Sequence, residues 1–329
     1  VLMKPSPAVS AVYRRAASSL PPIGRPRLSH LELNPDGKSH DELFQSVPEI
    51  NVIELSNRFR QQTRDRFLNV VVWNAERGTF VLENPSVLER HKELCDADVI
   101  VLNEMDVGMA RTQNRHTVRE IADRLRMNYA YAVEFFELTK GEPEERNAPG
   151  ENESGFHGNA ILSKHEIRDP HLLRLEGLGQ WFDDEQKRIG SRIALIATID
   201  VSGFPVRIVN THLESAAQPD TRARQMRQVL SYLEAASDEA TIIGGDFNDW
   251  LSRLRALYVE AMGLKCATDQ STQRGVSSMK TYPSFSPRGG LDRIYYRGSL
   301  RLESVRKCKH QMARVASDHL PVYADFILS

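Results

Sequence analysis

Residues 193–213 read IALIATIDVSGFPVRIVNTHL, two apolar runs (193–199 and 206–209) on either side of Ser202-Gly203. Strands joined across so short a turn form an antiparallel hairpin, which a regular βαβ winding does not contain. Upstream, 68–73 is apolar apart from one Asn, the pattern of a strand covered on both faces. Strands are also predicted at 99–102, 129–136, 160–162, 241–243, 291–296 and 322–327. Helices fall between them. One starts at Asn84-Pro85, an N-cap with Pro at the first helical position, and carries Val87, Leu88, His91 and Leu94 on one face. A second follows the capping-box pair Thr117 and Glu120, with Val118, Ile121, Ala122 and Leu125 as its stripe. The third spans 221–235 with Ala223, Met226, Leu230 and Leu233 at helical spacing, and a fourth covers 253–262. Hairpins and long connections mixed with helices predict an α/β fold, two mostly antiparallel sheets packed face to face with helices outside.

The chain has 329 residues, 40% apolar and 26% charged, enough for one large α/β domain with an appendage. Its 43 Lys and Arg nearly balance 44 Asp and Glu, which excludes a protein holding nucleic acid or anionic membrane by bulk charge alone. The balance is uneven. Lys4, Arg14, Arg15, Arg25 and Arg27 precede the first acid, Glu32, so residues 1–31 carry +5 and the rest −6. Residues 1–60 have no sustained period and recurrent Pro and Gly; they read as an N-terminal arm or linker ahead of a catalytic domain over 61–329. The chain opens on Val1, so the expected start is Met3 or a residue upstream. Cys95, Cys266 and Cys308 are too few and too scattered for a disulfide framework or a zinc cluster. They read as small, partly buried thiols. No apolar run approaches the roughly 20 residues of a membrane span, and the expected setting is soluble, cytoplasmic in preference to secreted. Two long polar loops are expected to select substrate: 141–158, with five Glu against one Arg, and 267–290, with Tyr282, Phe285 and Pro287 interleaved.

The polar residues that break the strand pattern fall at strand ends. Asn74 closes the first strand and Glu104 lies just past the second. His212 follows 206–209, Asp246 and Asn248 close Ile242-Ile243-Gly244-Gly245-Asp246-Phe247-Asn248, Asp292 opens 291–296, and Asp318-His319 precedes the last strand. Carboxylates with Asn amides form a hard-oxygen set suited to Mg²⁺ or Mn²⁺. Two histidines beside them suit proton transfer to and from a nucleophile and a leaving group. With neither a serine nucleophile elbow nor a phosphate-cradling Gly loop, the set points to metal-assisted attack of water on a phosphoester.

The ordered series Trp73-Asn74, Leu102-Asn103-Glu104, Gly158-Asn159-Ala160-Ile161-Leu162-Ser163, Thr211-His212-Leu213, Gly245-Asp246-Phe247-Asn248, Leu291-Asp292-Arg293-Ile294 and Ser317-Asp318-His319 resembles the endonuclease/exonuclease/phosphatase superfamily, the DNase I-like fold. The resemblance covers roughly residues 66–327 and implies a four-layer α/β sandwich and a Mg²⁺- or Mn²⁺-dependent phosphoester hydrolase. It implies that Glu104 binds the metal with Asn74 and Asp318 close by. By the same resemblance, Asp246 and Asn248 contact the scissile phosphate or position the attacking water. His319 is then the base or phosphate-polarising histidine, held by Asp292, and His212 helps to protonate the leaving oxygen. Asn159 stands where the family keeps a polar group near the phosphate. AP endonucleases typically lack a histidine matching His212, which counts against that branch. Arg111, Arg115 and His116 precede a helix within reach of a phosphate, but read better as a solvated turn. His30, His40, His157, His165, His171 and His310 have no partner pattern and receive no role.

Two substrates compete. Nucleic acid is favoured by the number of nucleases in the superfamily and disfavoured by the acidic body, because phosphate affinity comes from Lys and Arg. A sphingomyelinase-like phospholipid or inositol phosphate reading would use an exposed apolar loop, for which Tyr282, Phe285 and Pro287 are candidates. An inactive binding scaffold would show gaps among the metal and histidine positions, and none is missing. The expectation is a phosphodiesterase leaning to nucleic acid.

Overall fold

The computed structural model describes residues 11–21, 23, 40–60, 66–78, 95–177, 181–215, 219–234, 240–250, 263–272 and 275–329. The helices expected from Asn84-Pro85 and over 253–262, and most of the basic arm, lie outside the described residues. Two sheets carry the structure. The larger runs in the order Leu300–Lys307, Val322–Leu328, Phe67–Arg77, Val99–Val107, Phe156–Ser163, Asn128–Glu137, Ile53–Ser56 and Ala16–Ala17, with Arg188–Gly190 also paired to Asn128–Glu137. The smaller runs Val12–Tyr13, Ile167–Arg174, Ile193–Val201, Phe204–Thr211, Ala240–Asp246, Asp292–Arg297 and Lys265–Cys266.

Strand alternation explains the apolar runs. Leu68, Val70 and Val72 join Ile193, Leu195, Ile208 and Ile242 in the core between the sheets. Their neighbours Val71, Trp73 and Ala75 pack outward with Val118, Ile121 and Ala122 of the helix Thr117–Leu125. On the opposite outer face, Ala194, Ile196, Val209 and Ile243 pack against Ala223, Met226, Leu230 and Leu233 of the helix Pro219–Glu234. Helix, sheet, sheet, helix is the expected four-layer sandwich. A central strand such as Phe67–Arg77 serves two cores, so it has no polar face to show. The hairpin is as expected: Ser202 and Gly203 have φ of 53° and 87° and link antiparallel strands, a type I′ geometry.

Three sequence expectations need correction. Residues 1–60 do not stand wholly apart, since Ile53–Ser56 pairs with Asn128–Glu137 and Val12–Tyr13 with Ile167–Arg174. Leu43, Phe44, Val47 and Ile50 are core residues as well. The pattern was hidden because that short strand carries a buried charge, Glu54, satisfied by His116, Arg119 and Tyr129. Burial alone would raise this carboxyl; the His116 ring and the other donors lower it to about 2. Second, Thr117 is not the cap of its helix. His116 accepts from the Arg119 amide at 3.1 Å, while the Thr117 hydroxyl donates to the Asp106 carbonyl at 2.7 Å. Third, the loop 267–290 contains a two-stranded hairpin, Asp269–Thr272 with Gly275–Ser278.

The two central parallel pairs position the site. Phe67–Arg77 lies beside Val99–Val107 in one sheet, and Phe204–Thr211 beside Ala240–Asp246 in the other. Asn74, Glu104, His212 and Asp246 come at the C-terminal ends of these four strands, on one edge of the sandwich. Gly244 lets the two sheets close there, and Gly245 lets its strand approach the neighbouring strand at Thr211. A Cβ on Gly245 (φ 144°) would fall 1.8 Å from the Thr211 carbonyl oxygen, and one on Gly244 2.5 Å from Val72. Only glycine tolerates both that dihedral and that approach. Gly245→Ala is therefore expected to cost about 3 kcal/mol or more, read as a large fall in melting temperature or loss of folded protein.

Candidate active site

Both strands of the first parallel pair are bulged at their ends, where the register slips between Asn74 and Arg77 and between Leu102 and Met105. Glu104 itself sits at φ 58°, and Glu76 and Arg77 at 45° and 66°. Such bulges re-aim side chains and carry a local backbone cost that the surrounding sheet must hold. The result is a cavity of about 450 Å³ whose wall includes Glu104, His212, Asp246, Asn248, Asp318 and His319.

His319 Nδ1 lies 2.8 Å from Asp292 Oδ2, and its Nε2 faces Asp246 Oδ2 at 3.6 Å. The backbone is clamped: the Trp73 indole donates to the His319 carbonyl at 3.0 Å, and the His319 amide donates to Ser317 Oγ at 3.0 Å. Burial alone would lower the imidazole, but the carboxylates of Asp292, Asp246 and Asp318 override it and hold His319 well above its usual range. It is an imidazolium at neutral pH.

His212 is the opposite case. Burial and the Arg192 guanidinium push it far down. Arg192 Nη1 donates to His212 Nδ1 at 2.9 Å, so the ring's own hydrogen is on Nε2. That atom is turned toward Asp246 at 3.8 Å and Glu104 at 4.0 Å. A second proton would have to enter facing Arg192. His212 thus presents a fixed Nε2–H to the cavity.

Asp246 is held from all sides. Its amide donates to Asn103 Oδ1 at 3.0 Å, its carbonyl accepts from Leu213 at 2.9 Å, and Oδ1 accepts from the Asn248 amide at 2.9 Å. Oδ2 is left for the cavity. Burial and the Asp292 and Glu104 carboxylates raise its pKa, partly countered by His319. Asp318 is pushed up to about 6, by partial burial and by Glu104, Glu76 and Asp246. Burial would raise Glu104 too, but the facing groups His212, His157 and Arg77 and the Asn74 amide hold it well below the usual range. Because His212 is neutral, Arg77 is the dependable cation in that set. Asn74 Nδ2 donates to Glu104 Oε1 at 2.9 Å and reaches Asp246 Oδ2 at 3.3 Å, bridging the two carboxylates.

Asn248 turns its Nδ2 to the Leu213 carbonyl at 2.9 Å, leaving Oδ1 toward the cavity. Asn159 is not brought to the wall. It is fully buried one layer behind, accepting from Asn103 Nδ2 at 3.0 Å; Asn103 also donates to Asn210 at 2.7 Å, tying the two sheets together. Arg111 is spent on Asp106 at 2.7 and 2.9 Å, Arg115 on Glu120, and His116 on its helix and Glu54. None of the three lines the cavity.

Sequence reasoning passed over several wall residues. His157 is oriented by Asp106 at 2.8 Å, a second histidine–carboxylate pair in the same cavity. Arg192 also contacts Glu134 at 3.2 Å. Trp250 and Tyr282 form an aromatic wall, with ring centroids 5.4 Å apart and Tyr282 4.7 Å from His319. A usable signal existed for Glu134, a charge inside an apolar strand, and for Arg192 at the foot of another.

The family model described as "Endonuclease/Exonuclease/phosphatase family" matches residues 71–319. The chain belongs to that family, and it is accordingly a phosphoesterase. Among solved structures, an endonuclease/exonuclease/phosphatase from Beutenbergia cavernae is 19% identical with a TM-score of 0.60, over 80% of this chain and 72% of that one. The human Nocturnin catalytic domain with bound sulfate is 20% identical with a TM-score of 0.58, over 80% and 94%. ANGEL2, a 2′,3′-cyclic phosphatase in complex with adenosine-2′,3′-vanadate, is 16% identical with a TM-score of 0.56, over 84% and 98%. No curated protein matches. No helix among the described residues is long and apolar enough to cross a membrane.

Proposed function

We propose that the protein is a divalent-cation-dependent phosphodiesterase that hydrolyses nucleic-acid phosphoesters by in-line attack of water. The observation that carries this reading is two fixed histidines facing one carboxylate in a single cavity: His319, held by Asp292 at 2.8 Å, and His212, held by Arg192 at 2.9 Å, turn their Nε2 atoms to Asp246 Oδ2 at 3.6 and 3.8 Å.

The donors present decide which cation fits. Among the described residues no three His, Cys, Asp or Glu form a ready cage, which argues against a closed zinc-type site. Mg²⁺ and Mn²⁺ need fewer protein ligands, because they are bound by one or two carboxylates and keep most of their waters. Glu104 stays ionised; the Asn74 amide beside it donates Nδ2 to Glu104 at 2.9 Å while its Oδ1 accepts from the Glu76 amide at 3.2 Å, so its oxygen would turn to an ion only by giving up the Glu76 contact. Asp318 lines the same cavity, with a carboxyl raised first by burial and then by Glu104, Glu76 and Asp246, against the lowering pull of His319. The set fits. Glu104 and Asn74 would hold the ion with Asp318 close by, and when bound it supplies charge neutralisation at the phosphoryl group.

The chain's own groups do the rest. Asp246 Oδ2 accepts the proton of the attacking water, which Asn248 Oδ1 orients. His319 Nε2–H donates to a non-bridging phosphoryl oxygen as charge builds there. His212 Nε2–H hydrogen-bonds the leaving oxygen and keeps its proton, Arg192 behind it fixing that tautomer, and the departing oxygen takes its proton from solvent water, while Asp246 returns the proton it accepted to solvent. The aromatic wall of Tyr282 and Trp250 and the adenosine-based ligand of ANGEL2 support a nucleotide-bearing substrate. A panel of single-stranded DNA, RNA, sphingomyelin and inositol phosphates tests this. Turnover of the polynucleotides at least tenfold above the lipids is expected; the reverse order would overturn the substrate reading while leaving the hydrolase reading intact.

A further inference from the structure

Four large apolar side chains are exposed among the described residues, Val12, Trp250, Phe285 and Val315; Trp250 lines the cavity, and Phe285 and Val315 follow Ser284 and Arg314 on the segments tied to the cavity residue Asp318. Phe285 is 73% exposed and follows Ser284, whose amide donates to the Asp318 carbonyl at 2.6 Å and whose hydroxyl donates to the Arg314 carbonyl at 2.9 Å. The turn bearing Phe285 and the short helix Ala313–Ala316 bearing Val315 therefore form one face. Lys307 Nζ reaches the Lys280 carbonyl from the adjoining strand at 2.6 Å, and Trp250 closes the face beside Tyr282 and Gly289.

The charge of this face opposes that of the molecule. Segments 275–291 and 304–317 hold Lys280, Arg288, Arg306, Lys307, Lys309 and Arg314 and no Asp or Glu, in a chain whose sum beyond residue 31 is −6. Arg306 is matched by Asp325 at 2.8 Å. The other five have no ion pair among the described residues. Partial burial lowers the Lys307 ammonium, and Lys309 and Arg314 lower it further, so these three cations crowd one another. Like charges left unmatched beside exposed rings in an acidic protein are explained by an anion that arrives.

We infer that this face is the binding track of a single-stranded polynucleotide leaving the cavity, its bases on Trp250 and Phe285 and its phosphates on Lys280, Lys309 and Arg314. The inference rests on the nucleic-acid reading above and narrows it. Exposed rings stack on unpaired bases, which a duplex hides. The aromatic wall starts at His319 itself, through Tyr282, so a chain bonded to the reacting phosphate meets the rings next. That continuity favours a strand over a lipid bilayer, whose interface would stand off from the reacting centre.

The test uses the full chain carrying His319→Gln to suppress turnover, and a fluorescent single-stranded 12-mer read by anisotropy. Lys309→Glu with Arg314→Glu is expected to weaken binding at least tenfold and to flatten the slope of log affinity against log salt by about 1.4. Phe285→Ala is expected to weaken it about fivefold, and a matched duplex to bind more weakly than the single strand. In the active protein the same changes should raise KM for the oligonucleotide and leave kcat and bis-p-nitrophenyl phosphate turnover unchanged. Affinity indifferent to both changes overturns the proposal. So does Phe285-dependent binding to phosphatidylserine vesicles without oligonucleotide binding, or Phe285-dependent dimerisation. Because small-diester turnover is followed in parallel, failure of the track is distinguishable from failure of the hydrolase reading.

Discussion

Replacing His319 by glutamine is expected to lower kcat for bis-p-nitrophenyl phosphate by about 10³-fold with the fold retained. Glutamine can still donate to Asp292, so the buried carboxylate keeps a partner, but it carries no positive charge to the phosphoryl oxygen. Alanine should be as inactive and less stable, since it leaves Asp292 buried without its 2.8 Å contact, and an unpartnered buried acceptor is costly. Wild-type activity in the glutamine variant would remove His319 from the mechanism. The pH profile separates charge from shape. The active form is the imidazolium, so kcat/KM should fall as pH rises through its pKa, which Asp292, Asp246 and Asp318 hold up. Asp292→Asn removes the largest of those influences and should move the alkaline limb at least about one unit lower. Stability has the same sign: a raised imidazole contributes fully below its unfolded value near about 6.5, and the contribution is lost as pH rises through the folded value. The glutamine variant should lack that part of the alkaline destabilisation.

The acid limb has a different owner. In the proposed mechanism Asp246 loses its proton to act as base, and burial with two neighbouring carboxylates raises the pH at which it does so. Because its folded pKa is raised, its ionisation opposes folding as pH rises from its unfolded value of about 4 through the folded one. The site is thus strained electrostatically at the pH where it works. Asp246 and His319 stand 3.6 Å apart with opposed needs, the signature by which paired acid and base groups are recognised.

How much of this was legible in the sequence follows from where each signal resides. The layered sheets were readable because strands such as 68–73 are apolar on both faces, and because Ser202-Gly203 marks a hairpin. Asn74, Glu104, His212, Asp246 and Asp318-His319 were readable for the converse reason: a polar residue at the end of an apolar strand is conspicuous. The partners were not. Arg192 beside His212, Asp106 beside His157 and Trp250 beside Tyr282 meet only in three dimensions, and no local period announces them. Asn159 misled because a polar residue in an apolar run also suits a buried amide network, which is where it lies. The strand Ile53–Ser56 escaped notice because its buried Glu54 is satisfied by residues far along the chain, His116, Arg119 and Tyr129.

Removing divalent cations is expected to abolish turnover, and Mg²⁺ or Mn²⁺ to restore it, with a readout that does not depend on catalysis. Glu104, Asp246 and Asp318 share one cavity, and Asp318 is pushed up to about 6 by burial and by Glu104, Glu76 and Asp246. A cation that binds the folded chain alone relieves that repulsion. At a hundredfold excess over its dissociation constant it should stabilise by about 2.7 kcal/mol, a rise in melting temperature of roughly 5 °C for a domain of this size. Glu104→Gln keeps the volume and the Asn74 contact but removes the charge that stays ionised most firmly. It should lower turnover about 10³-fold and erase most of the thermal shift. The two readouts must move together. Full activity after exhaustive EDTA treatment would take the cation out of the mechanism, whereas an inactive Glu104→Gln protein with an undiminished thermal shift would place the ion on the Asp246 and Asp318 side of the cavity instead.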